Sequence, residues 1–493
     1  MYSTLLLLAL SAQGDAIACE QLVDNNPHAS FLISVSVLVE ATDDLPAFCQ
    51  IQGTIKPNIG FEARFPQADW NGNFFQTGCG GFCGVLDADR ERKSNAINYA
   101  LRRGYASIIT DGGHKSEHTG DGSWAKDNPV AERVYADEVV PLTFEAGHKL
   151  VELIYNDKPE YSYFSGCSNG GRMAAIAAQR YPSLFDGIVA GCSVLNLSMN
   201  GGVYGAWVLQ ANADGKGESI LTHTFNSKLP MLEANALTQC DAVDGNDDGI
   251  ISAPFSCAVN LDAIPSCKEA NTDSCLTDIE KRVVNDLYQG PVNGAGEAIF
   301  YGVPPGSERY WGLWFLGTEE YPGAGTLLAD GYGKYLAFVD DRDDYSAMEF
   351  NFDTDIALFA SQGELFNALD PDLSAFKKAG GKLIMWHGMA DPLVLPQQSQ
   401  DYLESVQTLM GAKDTHSFYR LFMAPGLGHC WDLPAATPDQ MDLLGALERW
   451  VEQDIAPDGI AVTQFADDGA IVRRGVLRPF PQVAEYSDVL NPQ

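Results

Sequence analysis

The chain has 493 residues, 45% of them apolar, with 48 glycines and no long low-complexity run. That suffices for one large domain or two to three ordinary ones, and it excludes disorder as the dominant state. With 66 acidic against 31 basic residues the net charge is −35, which argues against nucleic acid and anionic membranes as partners, because phosphate binding needs a basic face.

The chain opens with a short apolar run, Leu5 to Leu10, followed by small residues. Residues 1–18 therefore read as a secretory leader, cut after Ala12 or Ala18. Ala16-Ile17-Ala18 is a poor lipobox for an anchor on Cys19. No later segment reaches the roughly 20 apolar residues of a membrane span. Eleven cysteines in such a chain favour disulfides over metal, and the odd count leaves at least one thiol unpaired.

From about residue 45 to 190, short apolar runs alternate with helical patterns. Phe74 to Thr77 leads into a glycine-rich loop. Tyr105 to Thr110 reads as a buried strand, 130 to 155 as a helix, and Tyr161 to Ser165 as the next strand. Arg172 to Arg180 is alanine-rich and helical, and Gly187 to Gly191 is another strand. This alternation predicts an α/β fold, a parallel sheet with helices on both faces. The rhythm breaks after residue 191, where aspartates, cysteines and aromatics crowd. It resumes with strands at 382–386 and 417–422 and an amphipathic helix at 442–452. The organisation expected is a core in two parts, 19–191 and 381–493, interrupted by an insertion at 192–380.

Gly166-Cys167-Ser168-Asn169-Gly170 fits G-x-S-x-G, and it falls between a predicted strand and a predicted helix. Its glycines permit a sharp turn that exposes the Ser168 hydroxyl, and the helix start favours developing negative charge. A hydroxyl needs a base, and the base needs an orienting acid. Asp391 follows the strand 382–386 and His429 follows the strand 417–422, both in glycine- and proline-rich loops. The order Ser, acid, His is that of α/β-hydrolases. His387 sits closer to its strand and reads as a structural neighbour, while His114, His118, His148 and His416 lack such a context. Two backbone N–H donors are needed for an oxyanion. Asn169 supplies one, and the loop Thr77 to Gly84 supplies the other, at Gly80 or alternatively Gly81.

A cysteine precedes Ser168 and another follows His429. If the serine and histidine meet, Cys167 and Cys430 come close too, and a bridge requires Cα atoms within roughly 7 Å.

Gly-Cys-Ser-x-Gly-Gly-Arg, His-Gly-x-Ala-Asp-Pro and Pro-Gly-x-Gly-His-Cys together resemble the tannase and feruloyl esterase family, from about Ala47 to Tyr486. Thr110 to His114 and Phe185 to Gly191 extend the likeness. The resemblance implies a secreted α/β-hydrolase with a large inserted lid, cleaving esters of aromatic acids. It assigns the triad to Ser168, Asp391 and His429 and a disulfide to Cys167 and Cys430. It also implies bridges Cys240–Cys257, Cys267–Cys275 and Cys19–Cys49, and a calcium site in the lid at Cys240 to Ile251. There Asp241, Asp244 and Asp248 supply carboxylates, and Asn246 and Ile250 backbone carbonyls, a hard-oxygen set suited to Ca²⁺.

Cys79 and Cys83 depart from the polar residues expected in the family's oxyanion loop. They bridge each other, or one pairs with Cys192. Trp431, after His429-Cys430, is placed to narrow one rim of the site. Tyr310, Trp311, Trp314 and Phe315 either cup an acyl group or form lid core. Hydroxycinnamoyl (feruloyl-type) esters, as small molecules or on plant polysaccharide or polyphenol, are the first substrate expected. Galloyl and other aromatic monoesters come next. A serine peptidase and a calcium-dependent extracellular binding protein with an inactive site are the competing readings.

Overall fold

The computed structural model describes residues 17–24, 28–90, 94–268, 272–430, 437–466 and 468–488. The leader up to Ala16 and the expectation for Trp431 lie outside them. Nine strands form one sheet in the order β1-β2-β3-β5-β4-β6-β7-β8-β9. They are β1 (Phe31–Val39), β2 (Phe48–Ile55), β3 (Ile59–Pro66), β4 (Phe74–Thr77) and β5 (Ala106–Thr110). The remaining four are β6 (Ser162–Cys167), β7 (Gly187–Gly191), β8 (Lys382–Gly388) and β9 (Tyr419–Ala424). From β5 across to β9 every neighbouring pair is parallel. The first three strands pair antiparallel and were not foreseen from the sequence. Strands β5 to β8 are buried at nearly every position, as a sheet covered on both faces requires.

The helix expected at 130–155 is a short helix Pro129–Arg133, a wider turn over Val134–Glu138, and a long helix Val139–Tyr155. The widening has a visible partner. The carbonyls of Tyr135 and Ala136 accept from the Arg172 guanidinium at 3.0 and 2.9 Å. The strand expected at 417–422 begins two residues later, because Ser417 closes the helix Ala412–His416 through an N–H to the Asp414 carbonyl.

Between β7 and β8 the chain leaves the sheet. This insertion gathers an apolar cluster that includes Leu229, Leu232, Val283, Leu287 and Trp311. Leu395, from the loop after β8, joins the same cluster, so the insertion is anchored on that loop. A buried Lys228–Glu280 ion pair at 2.8 Å ties two of its helices. A second sheet follows β9, in the order β10-β11-β12-β13, over Gln440–Met441, Ile460–Phe465, Ile471–Leu477 and Glu485–Asp488. It packs with the helix Leu443–Gln453 against the face of the large sheet that carries Val189, Ile384 and Trp386. No helix among the described residues is long and apolar enough to cross a membrane.

Candidate active site

Ser168 stands between β6 and the helix Asn169–Arg180, with φ +64° and ψ −124°. A non-glycine residue held there costs about 1–3 kcal/mol, so its surroundings must enforce it. The Ser168 N–H donates to the Gly191 carbonyl at 2.9 Å. One residue earlier, the Asn95 amide brackets Cys167. It donates to the carbonyl at 3.1 Å and accepts from the N–H at 3.0 Å, so a side chain completes the strand's ladder. The turn has no room for side chains. A Cβ on Gly170 would lie 2.1 Å from the Asn95 Oδ1, and one on Gly166 2.3 Å from the Gly170 carbonyl.

Asp391 and His429, in the loops after β8 and β9, meet each other. The carboxylate Oδ2 accepts from His429 Nδ1 at 2.6 Å, and both residues are buried. Oδ1 accepts the N–H groups of Leu393 and Val394 at 2.9 Å each. Burial pushes the Asp391 carboxyl up, but His429 beside it and hydrogen bonds from the two histidines more than offset this and hold it at about 2. A carboxylate at Nδ1 fixes the proton there, which leaves His429 Nε2 as the basic nitrogen. His387 is a neighbour with its own duties. Its Nε2 donates to the Val394 carbonyl at 2.8 Å and leans on Asp391 Oδ2 at 3.3 Å, while Nδ1 accepts from Ser399 Oγ at 2.7 Å.

Cys167 and Cys430 are bonded, with Cα atoms 6.1 Å apart. Ser168 and His429 are thus each one residue from a covalent clasp. The bridges Cys19–Cys49, Cys240–Cys257 and Cys267–Cys275 are also formed. Cys79 bonds Cys83, which corrects the alternative that one of them pairs with Cys192. Their Cα atoms are only 5.3 Å apart across one tight turn, and Cys192 is left as a buried free thiol.

The Cys79–Cys83 turn is lashed to the Ser168 turn by Asn169. Its Nδ2 donates to the Cys79 carbonyl at 3.1 Å, and its Oδ1 accepts from Arg172 Nε at 2.7 Å. Arg172 is wholly buried and lies 4.8 Å over the Tyr135 ring. From below, His114 Nε2 donates to the Phe82 carbonyl at 2.7 Å, and Trp124 stacks on the His114 ring at 3.7 Å. Among the described residues the N–H groups of Gly80, Gly81 and Asn169 find no acceptor. Gly81 and Asn169 line a cleft together with Ser168, and Gly80 stands one residue back. Asn95 and Tyr135 were not singled out from the sequence, and Arg172 stood there only as the last residue of the Gly-Cys-Ser-x-Gly-Gly-Arg motif and the start of the alanine-rich helix, with no role assigned to it.

The cleft is walled mainly by apolar side chains such as Val194, Leu197, Phe315 and Leu393. The four insertion aromatics divide among different tasks. Phe315 is cleft wall, and Trp311 is insertion core. Trp314 meets the His429 ring edge-on at 5.3 Å. Tyr310 donates to the Gly426 carbonyl at 3.2 Å, over the loop that carries His429.

In the acidic loop, Asp241 Oδ2 accepts from Gly249 N at 2.8 Å, Asp244 Oδ1 from Asn246 N at 2.8 Å, and Asp248 Oδ1 from Ile250 N at 3.1 Å. Burial first, and then the neighbouring carboxylates, raise the Asp248 carboxyl. The donors are hard oxygens, as a calcium site needs. Among the described residues, however, the three side chains do not bring their oxygens within 4.8 Å of one another. Arg473 of β12 donates to the Asp248 carbonyl at 3.0 Å and ties the loop to the second sheet.

A mostly parallel sheet with Ser168 at the carboxyl end of β6, and Asp391 and His429 after β8 and β9, is the α/β-hydrolase architecture. Crystallised feruloyl esterase B from Aspergillus oryzae has the same fold, with a TM-score of 0.81 at 24% identity over 94% of this chain and 95% of that one. The profile described as Tannase and feruloyl esterase matches residues 45–489, and the chain belongs to that family. An uncharacterized esterase of Xanthomonas campestris pv. campestris is 34% identical, covering 97% of this chain and 88% of its own. Mono(2-hydroxyethyl) terephthalate hydrolase of Piscinibacter sakaiensis is 30% identical, over 95% and 89%. The chain is a carboxylic ester hydrolase.

Proposed function

We propose that the protein is a secreted serine esterase of aromatic-acid esters, with hydroxycinnamoyl esters as its first substrates. The observation that carries this reading is the buried Asp391–His429 hydrogen bond together with the Cys167–Cys430 clasp, which joins the residue before Ser168 to the residue after His429. Ser168 Oγ attacks the ester carbonyl, and His429 Nε2 takes its proton and returns it to the leaving alcohol. Asp391 keeps the imidazole in the required tautomer and stabilises it when charged. The N–H groups of Asn169 and of the Gly80–Gly81 turn receive the oxyanion. Water then enters, and the same histidine activates it to release the acid. The inserted segment acts as the lid over the acyl group, with Phe315 on one wall. Its apolar lining suits an aromatic acyl group better than a charged or peptidic one.

The acidic loop is read as a calcium site held by Asp241, Asp244 and Asp248, with the carbonyls of Asn246 and Ile250. A calcium ion bound there would neutralise the clustered carboxylates of Asp241, Asp244 and Asp248, with no part in the bond-breaking steps. Export is supported by five disulfides among the described residues and by the apolar leader. The test is a substrate panel of methyl ferulate, methyl gallate, a terephthalate monoester, short acyl esters and a peptide, with Ser168→Ala as control. Turnover of aryl esters that vanishes in the variant is expected. Peptide cleavage with inert esters, or full activity in Ser168→Ala, refutes the proposal.

A further inference from the structure

Cys192 follows the last residue of β7 and is the free cysteine among the described residues, with no exposed surface. Its backbone N–H donates to the Trp386 carbonyl of β8 at 2.9 Å. Its sulfur accepts the N–H of Cys430 at 3.3 Å. The same sulfur lies within 4.8 Å of Asp391 and His387 ligand atoms, and within 4.8 Å of both sulfurs of the clasp. One side chain therefore touches the end of β8, the acid that follows it, and the residue next to His429. The thiol has a single S–H to give, and Asp391 is the carboxylate within 4.8 Å of it. Burial, reinforced by that negative charge, keeps the thiol protonated. This protonation also withholds the thiolate that exchange with the neighbouring disulfide would need.

We propose that Cys192 is a positioning residue of the hydrolytic site: its S–H donates to Asp391 while its sulfur holds the Cys430 N–H, so that one thiol sets the spacing between acid and base loops. The proposal rests on the triad reading given above. A thiol is a weak donor, so the bond it gives to a charged carboxylate is a modest one. Its loss during turnover therefore corresponds to about tenfold in rate.

The test uses the full chain in four variants: Cys192→Ala, Cys192→Val, Cys192→Ser and Ser168→Ala. Rates on an aryl ester are measured with thermal melts. Alanine and valine are expected to lower kcat about tenfold with KM within twofold of wild type. Serine, which restores both a donor and an acceptor, is expected to return kcat to within about threefold. If alanine leaves a cavity that unfolds the protein, valine fills the volume without the proton, and the valine–serine comparison decides. Wild-type kcat in the folded apolar variant, or a serine variant as slow as it, overturns the proposal. Retained turnover in Ser168→Ala would instead sink the triad reading.

Discussion

Replacing Cys167 and Cys430 together by alanine removes the covalent tie between the nucleophile turn and the base loop. Both must go, because the Cys192 sulfur lies within 4.8 Å of each and stands ready to pair with whichever remained. The bridge spans 263 residues of sequence. In the chain-entropy treatment a loop of that size contributes roughly 5–6 kcal/mol, and measured losses for native bridges are nearer 2–5 kcal/mol. That is a large part of the 5–15 kcal/mol typical of a folded protein. The effect on rate is separate. Without the clasp His429 keeps its bond to Asp391, and its loop keeps the Tyr310 contact at Gly426, but neither fixes its distance to Ser168. A drift of about 1 Å costs on the order of 100-fold. Urea unfolding followed by tryptophan fluorescence should show a lower midpoint, and initial rates on methyl ferulate a kcat/KM reduced by about two decades. An undiminished kcat/KM in a folded variant would refute the positional role. An unchanged midpoint would refute the loop-closure reasoning.

Asp391→Asn is expected to fold and to lose roughly 10³–10⁴ in kcat with KM little changed, since an amide holds the wrong imidazole tautomer. Asp391 also links stability to pH. Its folded-state carboxyl is depressed to about 2, so its contribution, about 2 kcal/mol, is present above the ordinary carboxylate range and lost as pH falls from about 4 through about 2. Urea midpoints of wild type should approach those of Asp391→Asn over that window, and parallel curves would contradict it. Chelation by EGTA should lower the melting temperature by several degrees, reversed by added Ca²⁺ and absent in Asp244→Asn/Asp248→Asn; an unaffected wild type rules the ion out. Gly170→Ala should be insoluble or destabilised by more than about 3 kcal/mol, because its Cβ displaces the Asn95 side chain that brackets Cys167. A soluble, active variant would show that the turn relaxes at little cost.

The sequence alone carried the chemistry that depends on local pattern. Apolar runs of strand length, separated by helical spacing, announced the parallel sheet. A glycine-flanked serine between strand and helix, and an acid and a histidine in loops after later strands, marked Ser168, Asp391 and His429 as candidates. The neighbouring cysteines announced that two of those loops meet. Such signals are legible because a strand, a helix start or a tight turn is dictated by residues within a few positions of each other.

Tertiary structure decided what depends on partners far away in the chain. Strands β1 to β3 share no single sequence pattern, since β1 alternates buried and exposed positions at its start while β3 is buried throughout, and they gain their definition from antiparallel pairing. Tyr310, Trp311, Trp314 and Phe315 look equivalent in a row, yet packing sends one to the base loop, one to the insertion core, one to His429 and one to the cleft. Asn95, Arg172 and Cys192 carry no periodic signal. Each is a single polar group whose value comes from buried acceptors or donors brought to it by chain segments remote in sequence. Which of two cysteine pairings the Thr77–Gly84 turn adopts was likewise a question of distance, and only the folded backbone contains distances.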